Sequence, residues 1–208
     1  IFYMSLDGVE QAEINEIGDV NITKNGEFVK GGVRGDYFRG SITLKKDKII
    51  GLDEGSVEFW FQPYKHNSYS DRNVKFLSIW PPSIGFYIFN GLGPGERPLS
   101  MYFTKDDGSL TFIHSSLDVY PGKWYHTVIT WEGKEIKVYI DGNKTGESSD
   151  SSLHTKYNDG FANQIVFCGE WQGDIYAEFD EIYLYDKALT EDEIKNAYWR
   201  YRDKSKLV

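Results

Sequence analysis

From Phe2 to Tyr185 the chain is cut into short runs of alternating or wholly apolar residues, each stopped by Gly, Asn, Asp or Pro. FYMSL (2–6), YFRGSITL (37–44), SVEFWFQ (56–62), VKFLSIW (74–80), IGFYIF (84–89), LSMYF (99–103), LTFIH (110–114), WYHTVITW (124–131), EIKVYI (135–140), QIVFC (164–168) and EFDEIYLY (178–185) all read as strands. Strands at this spacing, with few helical stretches available as crossovers, predict a two-sheet antiparallel β-sandwich.

The punctuation has its own chemistry. Glu132-Gly133-Lys134 joins two of the strands, and Asp141-Gly142 supplies the positive φ that a tight hairpin needs. Asp106, Asp107 and Gly108 make a third turn; an acidic tip of this kind can hold calcium, and a solvated turn is the simpler account. A short C-terminal helix is also predicted. Thr190 followed by Glu193 fits a capping box, in which hydroxyl and carboxylate satisfy the exposed amides of a helix start. Ile194, Ala197, Tyr198 and Tyr201 then recur at helical spacing, so the helix should run to about Arg202 and lay that stripe on the sandwich.

Composition agrees with a β fold and narrows the partners. The 208 residues suit one domain, read as spanning 1–208. With 15 Tyr, 13 Phe and 6 Trp, the chain can fill a core and still place rings at the surface. A formal net charge of −9 argues against nucleic acid, whose phosphates demand a basic footprint, and fits a neutral ligand or a cation. Cys168 is the single cysteine, so no internal disulfide can form, and its place in IVFCG marks it as a buried thiol. No segment approaches the roughly 18 apolar residues of a membrane span, and no signal peptide opens the chain. The chain starts at Ile1 and enters a strand at once, as a domain excised from a larger protein would.

Three segments carry a family resemblance. MSLDG (4–8) opens the chain, GSVEFWFQP (55–63) with KWYHTVITWEGKEIKVYIDGNKTGE (123–147) forms its centre, and FDEIYLYDKALTEDEIKNAY (179–198) closes it. Their order, and the spacing from W-x-H-x-x-x-x-W to I-D-G, resemble the laminin-G-like jelly rolls of the concanavalin A-like lectin/glucanase superfamily. The resemblance implies two packed antiparallel sheets, one concave, with the first and last strands adjacent. It further implies a non-catalytic module of a secreted or surface protein that binds glycans or other proteins, often with calcium. Relatives with the same fold include glycosidases and lyases, and fold does not choose among these.

An enzyme of the laminarinase type would carry E-x-D-x-E or E-x-D-x-x-E on one strand. Here Glu178 and Asp180 are followed by Ile182 and Tyr183, so the second glutamate of the pattern is missing. Strict alternation places Glu178 and Asp180 on one face with Ile182 and Leu184, and Glu181 on the other. Glu178 with Asp180 is therefore the residue pair of a rival hydrolase or lyase reading that needs two close carboxyl groups. His66, His114, His126 and His154 lack metal-ligand spacing. His126 is expected as a core histidine with its ring hydrogen-bonded. Gly31-Gly32 and GLGPG (91–95) read as turns.

An interior Asp180 must be paired, hydrogen-bonded or bound to a metal. With the first strand beside the last, Asp7 and Asp180 are candidate ligands of a structural calcium; the alternative is that backbone amides, Ser5 or Arg34 hold Asp180. Ligand contacts are expected from loop aromatics beside polar groups: Trp171 in GEWQGD, Trp80 before Pro81-Pro82, and Tyr69 in KHNSYSDRN (65–73). Trp60, Trp124, Trp131 and Trp199 are assigned to packing. The reading that results is a non-catalytic binding module for a glycan or polysaccharide. A glycosidase or lyase and a structural or protein-interaction module are its rivals.

Overall fold

The strand Asp36–Gly51 belongs to two layers at once, and the architecture follows from that. In the computed structural model, residues 1–8, 14–16, 18–30, 33, 36–63, 74–80, 84–88, 98–105, 107–120, 122–149, 160–167 and 177–202 are described. In chain order the elements are β1 (Phe2–Met4), β2 (Ile14–Asn15), β3 (Asn21–Lys30), β4 (Asp36–Gly51), β5 (Glu54–Pro63), β6 (Val74–Trp80), β7 (Ile84–Ile88), β8 (Pro98–Thr104), β9 (Leu110–Asp118), β10 (Tyr125–Glu132), β11 (Glu135–Ile140), β12 (Asn143–Ser148), β13 (Phe161–Phe167), β14 (Ala177–Tyr185) and α1 (Glu191–Arg202).

Hydrogen bonding runs β12-β11-β10-β5-β14-β4-β13-β6-β7-β8-β9, with β3 paired to β4, and β1 paired to both β14 and β2. Every pairing is antiparallel. Phe38 and Arg39 of β4 pair with Phe179 and Glu178 of β14, whereas Ile42 to Gly51 pair with β13. The path therefore folds over along β4, and β5, β10, β11 and β14 lie against β6, β8 and β13 with the core between them. Phe59 meets Phe167 edge-on across that core, ring centroids 5.4 Å apart, and Phe61 meets Phe76 at 4.9 Å. The two ends of the path, β12 and β9, touch. This is the expected jelly-roll sandwich, with β1 and β14 adjacent in the register Phe2↔Leu184 to Met4↔Ile182.

β2, β3 and β12 are absent from the sequence-based expectation. β3 is an edge strand, NITKNGEFVK, exposed or half-exposed along its length, and only Ile22 and Phe28 reach the core, too few to mark a strand by alternation. β12, NKTGES, is likewise a polar edge strand. The helix matches its expectation. Thr190 Oγ1 accepts from the Glu193 amide at 3.3 Å, the Thr190 amide donates to Glu193 Oε2 at 2.9 Å, and Ile194, Ala197 and Tyr201 are buried against the sandwich. Lys187 Nζ adds an ion pair to Glu193, and that ammonium together with the Thr190 donors holds the carboxyl down at about 2.

One position shows how tightly the layers are fitted. Gly55 pairs with Trp131, whose ring lies across it; a Cβ on Gly55 would stand 2.5 Å from Trp131 Cζ2. The ring is fully buried and donates from Nε1 to the Gly51 carbonyl at 3.0 Å, so it has no room to retreat. Gly55→Ala should cost about 1–3 kcal/mol in a denaturation experiment, the range for overpacking a filled site. A midpoint equal to that of the wild type would show that the ring can slide.

Candidate functional site

β14 does not alternate strictly. From Asp180 to Tyr183 it advances three residues while its partner β5 advances two, from Trp60 to Glu58, and Glu181 at this bulge takes φ 53°. The inserted residue corrects the expected faces. Ile182 and Leu184 join Phe179 in the core, whereas Asp180 lies beside Trp60 on the outer face that α1 covers. Asp180 is buried there, as expected, but not on the core side.

That outer face carries a layer of buried charge. Glu58 Oε1 lies 3.0 Å from His126 Nε2, and Glu58 Oε2 accepts from the Tyr185 hydroxyl at 2.8 Å. His126 is thus the buried, ring-bonded histidine the pattern predicts. Glu181 Oε2 accepts from the Tyr3 hydroxyl at 2.7 Å, and the Tyr183 hydroxyl is hydrogen-bonded to that of Tyr201 on α1. Glu178 is 2% exposed and accepts from Arg39 Nη2 at 2.9 Å and Nε at 3.2 Å. Asp180 Oδ2 accepts the Val33 amide at 2.8 Å, so a backbone amide holds it. Its Oδ1 has no partner among the described residues.

Burial pushes the Asp180 carboxyl up to about 8; the charges of Glu181 and Asp7 add to the rise, and the Val33 amide opposes it. Burial likewise raises the phenols of Tyr183, Tyr185 and Tyr201. Asp7 itself is exposed. Among the described residues no three His, Cys, Asp or Glu side chains gather around a point that a metal ion would occupy.

Because its folded pKa lies above that of the free carboxyl, the stabilising contribution of Asp180 is complete below about pH 4 and is lost as pH rises towards 8. The melting temperature should therefore fall across that window, and Asp180→Asn, which keeps the acceptor for Val33 and removes the charge, should flatten the fall. Equal slopes for the two proteins would show that Asp180 ionises normally. The same measurement tests Asp7 and Asp180 as calcium ligands. If they hold an ion, calcium should raise the neutral-pH midpoint and chelator should lower it; no change with either would remove the ion.

At one edge of the covered face, next to the carboxylate layer, an open cleft of about 700 Å³ lies between the sandwich and α1. β5 supplies Trp60, the approach to β10 supplies Lys123 and Trp124, the β11–β12 turn supplies Asp141 to Asn143, and α1 supplies Lys195, Tyr198, Trp199 and Arg202. The turn is the expected Asp-Gly hairpin, with φ 51° at Asp141 and 76° at Gly142. Asp141 Oδ1 accepts from the His126 amide at 3.0 Å, which ties the hairpin tip to β10. Trp60 stacks on Tyr198 at 6.0 Å, Trp124 meets Tyr37 edge-on at 5.6 Å, and Trp199 is 49% exposed.

Sequence reasoning had Trp60, Trp124 and Trp199 as packing residues. The available signal was that Trp199 falls off the Ile194–Ala197–Tyr201 stripe. Of the expected ligand contacts, Trp171 and Tyr69 lie outside the described residues. Trp80, 37% exposed, ends β6 opposite Gln164 on the outer face of the other layer and does not line the cleft.

Comparison with known proteins completes the assignment. The human adhesion G-protein coupled receptor D1 is 31% identical over 116 residues, which is 54% of this chain and 13% of the receptor. The binding domain of Paraclostridial mosquitocidal protein 1 superposes with a TM-score of 0.72 at 19% identity, covering 96% of this chain and 52% of that one. The botulinum neurotoxin serotype D ligand-binding domain, solved with N-acetylneuraminic acid, gives 0.70 at 14% over 96% and 50% of the two chains. Domain 4 of the extracellular arabinanase AbnA from Geobacillus stearothermophilus, solved with arabinotriose, gives 0.67 at 17% over 94% and 96%. At these identities the solved structures establish the fold. The chain spans a small part of the receptor and about half of the toxin domains. A laminin-G-type family model, described as the concanavalin A-like lectin/glucanases superfamily, matches residues 39–195, and the chain belongs to that family.

Proposed function

We propose that the chain is a non-catalytic carbohydrate-binding module of a secreted or surface protein, and that the cleft beside α1 holds the sugar. The observation that carries this reading is the half-exposed Trp199 ring together with Trp124 beside Asp141 and Asn143. An indole offers an apolar face to the C–H groups of a sugar ring, and a carboxylate and an amide next to it take up the hydroxyls. The arabinotriose and N-acetylneuraminic acid held by two structural relatives support the same class of ligand. Trp80 enters the proposal as a second stacking ring on the opposite layer.

Trp199→Ala should lower affinity for a glycan selected on an array several-fold, in line with the roughly 1 kcal/mol that an exposed aromatic contact contributes. Its unfolding midpoint should stay close to that of the wild type, because half of the ring is already in water. Calorimetric titration of Trp199→Ala and Trp80→Ala separates the two faces. Full affinity in Trp199→Ala with loss in Trp80→Ala would move the site to the other layer.

A further inference from the structure

The charge of the cleft is opposite to that of the molecule. The chain as a whole carries −9. Among the described residues, the cleft wall nevertheless gathers Lys123, Lys195 and Arg202 against one carboxylate, Asp141. Two of these cations have partners at the long end of an ion pair: Lys123 Nζ stands 3.9 Å from Asp141 Oδ2, and Lys195 Nζ stands 3.9 Å from the exposed Glu191 Oε2. Arg202 lies over the Trp199 ring at 5.0 Å and donates to the Tyr198 hydroxyl at 3.0 Å. Those contacts fix its guanidinium beside the rings that would stack on a sugar. Trp60 adds an indole N–H with no acceptor among the described residues.

A wall of this composition repels a cationic ligand and is richer in donors than a neutral sugar needs, since Lys and Arg present N–H groups alone. From this we infer that the cleft takes an acidic glycan, a sugar whose ring or substituent bears an anionic group, with Trp124 and Trp199 on the ring and Lys123, Lys195 and Arg202 towards the anion. The inference rests on the carbohydrate reading and narrows it. The net charge of −9 adds selectivity, because a long polyanion such as a nucleic acid would be repelled by the molecule as a whole, whereas one acidic sugar fits within the cleft.

The test is calorimetric titration of the folded protein with pairs of probes that differ in the anionic group alone: sulfolactose with lactose, sialyllactose with its methyl ester, and oligogalacturonate with its methyl ester. At least one acidic probe should bind about tenfold tighter than its neutral partner, the margin of a charge-assisted over a neutral hydrogen bond. That margin should shrink as ionic strength rises from about 0.05 to about 0.5 M, because exposed charges are screened. Which acidic probe wins tells carboxylate from sulfate. Lys195→Gln and Lys123→Gln, both at exposed side chains, should each narrow the ratio of acidic to neutral affinity within a pair, with the melting temperature close to that of the wild type. Equal affinity within every pair overturns the acidic preference and leaves the carbohydrate reading standing. Binding by no member of any pair overturns both. Binding to a single-stranded oligonucleotide tighter than to any acidic sugar also overturns it.

Discussion

Glu58, buried between His126 and Tyr185, sets the terms for this molecule. A carboxylate on the outer face of a sheet costs little in water, but under a helix it must find donors, because burying an ion without them costs several kcal/mol. Helix α1 lies over this face, and His126 and Tyr185 are the donors found there. Tyr201, on the helix itself, meets Tyr183, whose neighbour across the β1 seam, Tyr3, donates to Glu181. The capping box at Thr190 and the ion pair Lys187–Glu193 fix where the helix begins, and so which residues it lowers onto this layer. Displacing α1 would open Glu58, Asp180 and Glu181 together, so the helix belongs to the fold rather than decorating it.

The cleft follows from the same docking. It lies between the last turns of α1 and the β11–β12 hairpin, and hydrogen bonds and ring contacts hold both walls in place. Asp141 is bound to the β10 backbone from both directions, donating its amide to the His126 carbonyl at 2.9 Å and accepting the His126 amide at Oδ1. Tyr198 rests on Trp60 and closes on Gly142, where an added Cβ would meet its ring at 3.2 Å. A binding surface assembled on rigid elements loses little entropy when a ligand arrives, which suits the role proposed for this cleft.

Much of the architecture was legible in the residues. Periodicity marked the strands with a buried face, Asp141-Gly142 marked its own turn, and Thr190 with Glu193 marked the helix start. β3 was not legible, because only Ile22 and Phe28 of this edge strand pack against the core and the polar residues between them break the alternation. The bulge at Glu181 was not legible either: glutamate has no preference for φ 53°, and the conformation is imposed by the register of β5. That single inserted residue moved Asp180 from the core face to the helix-covered face. The cleft was hidden for a related reason. Alternation tells which face Trp60 and Trp124 share, but it does not tell how far a helix that begins only at Glu191 will cover them.

The carboxylates bear on chemistry as well as packing. Hydrolysis with retention or inversion requires two carboxyl groups that both reach the scissile bond, about 5 to 9.5 Å apart, with one free to give up a proton. Glu178 and Asp180 share a face, but Arg39 grips the first and the Val33 amide the second, and they are 2% and 0% exposed. Among the described residues that line the cleft, Asp141 is the lone carboxylate, and its Oδ1 is committed to the hairpin. In the proposed pose a sugar on Trp124 and Trp199 would meet Lys123, Lys195, Arg202 and Asn143 with that one carboxylate, and the described lining does not supply the two carboxyl groups that such a hydrolysis uses.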